Sequence, residues 1–360
     1  MSSAKPPGDV GGAGEQLTTA SVALAASGPR TDGRPRSAVR AWAWWLLRRV
    51  GLAVLTLWAV SVIVFLSTTA LGDPVRAILG KDYEVSPERV AAISAELHLD
   101  RSPVERYVIW LGDLLSGNLG NSVVNGLPVG ELIGERLTNS LFLVTIVALI
   151  MIPLAMLVAL VSARFRGGPI DQTLQVINLT LAGIPEFVTG ILLVALFSTT
   201  VLHLLPAVTV LPPGEMAWQR PSSMVLPVAT LVLAIVPYLA RILRANLLEA
   251  MDADYAELAR LKGVPESAVL LRHALPNTLV PAVQVTALQL AWLLGGVVLV
   301  EYLFNYPGIG ALLVDSVRNA DFPVVQALAM IIAAAYIVVN LVADLLSILL
   351  TPRARTGMLA

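Results

Sequence analysis

The sequence predicts an all-α polytopic membrane protein with six transmembrane helices. Three observations predict it: 56% of the 360 residues are hydrophobic and 14% charged, mean hydropathy is +0.77, and six long apolar runs recur along the chain. A soluble domain usually carries about a quarter charged residues, so composition argues against that class. The runs cover approximately 50–71, 137–163, 174–202, 222–240, 277–300 and 323–350. Each is near or above the ~20 residues a helix needs to cross a bilayer, and they are too long and too little alternating for barrel strands. Net charge of -1 and the absence of cysteine say little about partners, but exclude disulfides, thiolate metal sites and cysteine nucleophiles.

Residues 1–44 are rich in Gly, Ser, Ala, Pro and Arg without apolar periodicity, and read as a disordered cytoplasmic tail without the features of a cleaved signal peptide. Arg40–Arg49 interleaves basic residues with Trp42, Trp44 and Trp45. That mixture could stack on nucleic acid, but directly before a span it reads as an interfacial anchor. Residues 45–353 are expected to form one transmembrane domain, with 354–360 a C-terminal tail. In the third span Gly183-Ile184-Pro185, and in the fourth Pro227 and Pro237, predict bends.

With the N-terminus inside, sixteen of the 24 Lys and Arg fall on inner segments and eight on outer ones. The short loops, which decide orientation, agree. Both termini and the 241–276 segment are therefore expected on the cytoplasmic face. Segment 72–136 is expected outside as a small helical cap packed on the membrane helices. Within it Ser86-Pro87 reads as one helix start, and a second helix is expected over Val104–Leu115 before Gly117.

The spacings of the common catalytic and metal motifs are missing. His98, His203 and His273 are scattered, no Gly-x-Ser-x-Gly elbow occurs, and Gly80-Lys81 lacks the upstream Gly and following Ser or Thr of a phosphate loop. The chain is expected to be no enzyme and to need no cofactor or metal. Two ionisable residues fall inside apolar runs, Glu186 and Asp344. Asp344 reads as structurally paired near the inner face, while Glu186 suits a wet cavity or an internal pair equally. Gln284, Gln289, Trp292, Gly295, Gly296 and Asn178 could line a path or merely pack helices.

The segment around 254–276 is a charged island between two long apolar spans. Leu247, Leu248, Met251, Tyr255, Leu258 and Ala259 recur at spacings of three and four, which predicts one amphipathic helix. Gly263 after Lys262 suits a left-handed cap, and Pro265 suits the start of a second helix. Pro276 should then bend the chain back into the membrane. By itself this could be an ordinary loop on the membrane surface.

The same residues resemble the coupling loop of permease subunits in binding-protein-dependent ABC importers. That family's pattern is Glu-Ala-Ala, three residues, Gly, nine residues, Ile, one residue, Leu-Pro. Here it falls on Glu257, Leu258, Ala259, Gly263, His273, Leu275 and Pro276, with Leu258 and His273 departing from the pattern. Leu71-Gly-Asp-Pro-Val-Arg76, Gly117-Asn-Leu-Gly-Asn-Ser122, Glu135-Arg-Leu-Thr-Asn-Ser140, Glu301-Tyr-Leu-Phe304, Tyr306-Pro-Gly-Ile-Gly310 and Asp321-Phe-Pro-Val-Val-Gln326 are similar to the dipeptide, oligopeptide and nickel branch.

The resemblance implies a type I importer fold in a bacterial inner membrane. It implies a second, related permease, two cytoplasmic ATPase subunits, an external substrate-binding protein and a peptide cargo. It also implies that Tyr255, Ala256, Glu257, Leu258, Ala259, Gly263, Leu275 and Pro276 form the ATPase-coupling element, with Tyr255, Leu258 and Ala259 as apolar contacts and Glu257 as a charged one. A nickel or glutathione importer permease, an ion-coupled peptide transporter and a non-transporting scaffold are the alternatives. The last two are disfavoured by the lack of internal repeats and by these motifs, respectively.

Overall fold

The computed structural model describes residues 36–70, 101–212 and 214–350. The described residues are helices joined by short connections, with one isolated β-bridge between Asn121 and Pro128. The helices are α1 (Arg36–Ala70), α2 (Pro103–Ser116), α3 (Val129–Arg164), α4 (Pro169–Ala182), α5 (Glu186–Val194), α6 (Pro221–Met251), α7 (Asp254–Leu261), α8 (Glu266–Ala268), α9 (Leu275–Leu303), α10 (Ile309–Arg318) and α11 (Phe322–Leu350). A compact unit begins at Arg49 and takes in every later described residue.

Five of these stretches are long and apolar enough to cross a membrane, and α4 with α5 make a sixth span broken by 99°. The break falls at Gly183-Ile184-Pro185, as the sequence predicts, because Pro185 has no N–H to continue the helix. By contrast α6 runs without interruption through Pro227 and Pro237. It is the most buried span, packed by α3, α4, α5 and α9, and Leu231, Ile235, Leu239 and Leu247 form the centre of the core.

The expected cap is seen in part, since Ser86-Pro87 lies outside the described residues. Helix α2 begins with a full capping box: the Glu105 amide donates to the Ser102 hydroxyl at 3.3 Å, and the Ser102 amide donates to the Glu105 carboxylate at 3.1 Å. It lies on α1, where Tyr107 and Trp110 pack on Phe65, and the Tyr107 hydroxyl is 2.8 Å from that of Ser61. Within the expected 72–136 segment, α3 already starts at Val129. At 36 residues α3 is about 54 Å long, against ~30 Å of hydrocarbon, so it projects well beyond the bilayer.

Two expectations for the charged segment are corrected. The predicted single helix over 247–260 is two elements: α6 continues to Met251, Asp252 and Ala253 turn the chain, and α7 starts at Asp254. The apolar periodicity runs across the turn because Leu247 and Met251 face the main core while Ala256 and Ala259 face a separate small one. The break predicted at Pro276 is also absent. Residues Glu266–Leu303 pass as one continuous membrane-length helix, with a π-helical turn at Val269–Ala274 directly before Leu275 and Pro276. A wider turn relieves the clash between the proline ring and the preceding carbonyls, and so absorbs what would otherwise be a break.

Candidate functional site

The segment from Asp254 to Pro276 forms a braced elbow. Helix α7 closes with a Schellman arrangement: the Gly263 amide donates to the Arg260 carbonyl at 2.9 Å and the Val264 amide to the Ala259 carbonyl at 3.1 Å. This requires Gly263 at φ 82°, a conformation open to glycine and costly for a residue with a branched Cβ. Val264 then folds back onto Ala256, Ala259 and Val269, which make a small core of their own. Alanines at two of these sites let the two arms of the elbow approach closely.

Charge pairs hold this geometry. Arg260 donates to both carboxylate oxygens of Glu266, at 2.9 and 2.8 Å, and also to the Met251 carbonyl at 2.9 Å. One guanidinium thus ties together the end of α6, α7 and the start of the next arm. Asp252 in the turn accepts from Arg166 at 2.7 and 3.0 Å, and the Arg166 guanidinium holds its carboxyl below the usual range. Nearby, buried Asp171 accepts from Arg244 at 2.8 and 2.7 Å, from the Gly167 amide at 2.9 Å and from the Ser162 hydroxyl. The loop at 165–168 and the elbow therefore lie on the same side of the bundle.

The candidate coupling residues divide by exposure. Tyr255, Leu258 and Leu261 are 41%, 53% and 79% exposed and follow each other at three-residue steps, leaving an apolar stripe on the outside of α7. Glu257 is exposed beside it. Ala256 and Ala259 point inward and pack the elbow. Leu275 packs on the main core, and Pro276 is exposed on the helix beyond. Leu261 belongs to the stripe yet is absent from the candidates drawn from the motif, which ends its first block at Ala259. Lys262, Arg272 and His273 rim a cleft of roughly 670 Å³ beneath the turn, with Gly263 and Ser267 in its wall.

Because the pair is 34% and 41% exposed, losing it should cost at most about 1 kcal/mol of global stability. Arg260→Met is expected instead to loosen the elbow locally, so that limited trypsin digestion cuts after Lys262 faster than in the wild type. Equal cleavage rates would show that the pair braces nothing.

A second cluster lies at the opposite end of the bundle, and joins motifs far apart in sequence. Glu301 is fully buried. Its carboxylate accepts from the Ser140 hydroxyl at 2.5 Å and from the Gly310 and Ala311 amides at 2.7 and 3.3 Å. Ser140 accepts in turn from the Ile309 amide at 2.9 Å. Next to it, Asn139 donates to the Pro307 carbonyl and accepts from the Ala217 amide, while the Tyr306 hydroxyl donates to the Asn139 carbonyl. Ser122 and the Val123 amide donate to Asp321. Charge at Asp171 and Glu301 went unread among the span residues because α4 and α9 extend a few positions beyond the apolar runs that mark them.

Asp344 pairs with Arg49 at 2.8 Å, the structural role expected for it. Glu186 begins α5 just after the break in the sixth span. With Trp292, Gly295, Gly296 and Tyr336 it lines a second cleft, of roughly 400 Å³. Asn178, Gln284 and Gln289 do not line it.

Comparisons with known proteins agree with this architecture. Residues 151–356 match the family described as the binding-protein-dependent transport system inner membrane component. A protein of Sinorhizobium fredii named as a peptide ABC transporter permease is 33% identical over 313 residues, covering 86% of this chain and 99% of that protein. One of Brucella abortus named as a peptide transport system permease is 36% identical over 313 residues, 86% of this chain and 98% of its own length. The glutathione transport system permease of Escherichia coli is 34% identical over 312 residues, with the same coverage. The chain belongs to the binding-protein-dependent transport system inner membrane component family and is a multi-pass, inner-membrane permease subunit.

Proposed function

We propose that this permease is half of the path of an ATP-driven peptide importer, and that the elbow Asp254–Pro276 is the part a cytoplasmic ATPase subunit grips. The carrying observation is the elbow itself, stiff inside and apolar outside. Its arms are locked by Arg260 and a small core, while Tyr255, Leu258 and Leu261 stand exposed away from any core. An amphipathic helix with such a stripe suits a groove on a partner, with Glu257 and the basic rim of the adjacent cleft setting its register. Peptide cargo is favoured by the names of the similar permeases. A peptide's charged termini and amides also need a wet, gated route, since they are costly to bury in hydrocarbon.

The mechanism follows from continuity. Glu266–Leu303 is one helix, so force applied at the elbow enters the membrane through the same rod that starts there. When ATP draws two ATPase subunits together, the elbow would move as a unit and tilt α6 and α9, switching the path between inward-facing and outward-facing. Hydrolysis, carried out by the partners, would reset it. A second permease closes the other side, and an external binding protein delivers the cargo. Contacts of Arg166 with Asp252 and of Arg244 with Asp171 support one cytoplasmic face for the segments that the charge count placed inside.

The test uses the whole complex. Leu258→Glu puts a charge on an exposed position, where folding should be little affected. It is expected to strip the ATPase from the purified membrane complex and to end ATP-driven peptide uptake, with permease abundance unchanged. Normal ATPase retention and uptake in that variant would remove the docking role. Uptake that survives ATP depletion but collapses with an ionophore would favour the ion-coupled alternative.

A further inference from the structure

The cleft at Glu186 carries chemistry that the elbow does not use. It is built from three spans: Glu186 from the broken one, Trp292, Gly295 and Gly296 from α9, and Tyr336 with Ile332 from α11. Tyr336 is fourteen residues from either end of α11, or about 21 Å along the axis, and Trp292 is about 16 Å from the end of α9, which places the cleft well inside both apolar spans. Asp171, Glu301 and Asp344 are each taken up by hydrogen bonds or an ion pair. Glu186 has neither with any described residue.

An unpaired carboxylate facing lipid at that depth is expensive, and this one is only partly buried. Trp292 and Tyr336 beside it are 44% and 47% exposed. The cleft therefore has to open onto water or onto another protein, and it sits at a broken helix, where transporters place irregular backbone to line a cavity. A Cβ on Gly296 would come within 3.2 Å of the Trp292 ring, whereas one on Gly295 would meet nothing within 4 Å. Glycine at 296 lets the indole lie against its own helix, and glycine at 295 leaves the wall bare.

We propose that this cleft is a station in the path for the α-ammonium group of a peptide, with Glu186 as its counter-charge. The proposal rests on the peptide reading above. One carboxylate and two aromatic rings lining the same cleft suit an organic ammonium, which gains from the negative faces of Trp292 and Tyr336 as well as from the charge. It does not suit a metal ion, since the described residues hold no group of three or more His, Cys, Asp or Glu close enough to bind one. The bare wall at Gly295 leaves room for the first peptide units to pass, and Ile332 gives the side chains an apolar surface.

The experiment reconstitutes the full importer in proteoliposomes: this permease, its second permease, both ATPases and the binding protein. Tri-alanine is the probe, because its only ammonium is the N-terminal one. Glu186→Gln, nearly isosteric, is expected to lower tri-alanine uptake about tenfold while binding-protein-stimulated ATP hydrolysis and thermal unfolding stay as in the wild type. Glu186→Asp should restore most of the uptake.

Wild-type uptake in the Gln variant overturns the station, and so does a parallel fall of uptake and ATP hydrolysis, which would make Glu186 a part of the gate. A wild-type complex that hydrolyses ATP but imports no tri-alanine overturns the peptide reading, and the station with it. The two failures are thus told apart by the wild type alone.

Discussion

Replacing Gly263 by Val is expected to abolish uptake while the permease still inserts into the membrane at its normal level. Gly263 sits at φ 82°, where an ordinary L-residue pays about 1–2 kcal/mol and a β-branched one more. A Cβ there would meet no neighbour within 4 Å, so the penalty comes from the backbone and not from crowding. The chain would escape it by opening the turn, and the amides of Gly263 and Val264 would lose the Arg260 and Ala259 carbonyls. Val264 would leave Ala256, Ala259 and Val269. The elbow would then flex where it has to push. Gly263→Asn, which tolerates a left-handed backbone, should keep much of the activity. Transport by the Val variant at the wild-type rate would refute the rigid elbow.

Gly308→Ala should fail differently, by destabilising the folded subunit. An added Cβ would lie 2.2 Å from the Glu301 carboxyl carbon, inside a fully buried cluster with no space to yield. Overpacking typically costs 1–3 kcal/mol, and leaving a buried polar group without its hydrogen bond costs roughly another 1–3 kcal/mol. The variant is therefore expected to show low abundance and a thermal unfolding temperature in detergent well below that of the wild type. An unchanged unfolding temperature would mean that the Glu301 cluster does not hold α10 to α3 and α9. Uptake per folded molecule is the contrast with the Gly263 variant, for which stability should survive and transport should not.

The two glycines also mark how far the sequence could be read. At Gly263 the requirement is local, set by a helix that ends at Leu261 with Lys262 as its cap and a proline two residues on from the glycine, so spacing along the chain predicts the left-handed turn. At Gly308 the requirement comes from a glutamate seven positions back and a serine 161 residues away from that glutamate. The motifs containing them were visible as separate blocks, but their joining into one cluster was not. The helix across Asp252 and the break at Pro276 went wrong for a related reason. A three- or four-residue period does not show which of two cores a residue faces, and the effect of a proline depends on whether a π turn makes room for it.

From the sequence alone come the membrane class, the six apolar spans, the break at Gly183-Ile184-Pro185 and the turn at Gly263. These follow from composition, run length and residues acting on their own backbone. The tertiary structure decided the Arg260 brace with Glu266, the buried cluster around Glu301, the exposed stripe that takes in Leu261, and the cleft where Glu186 meets Trp292 and Tyr336. Each of these depends on which faces of separate helices turn towards one another, and that is set by packing of the whole bundle, which no single stretch of the chain encodes.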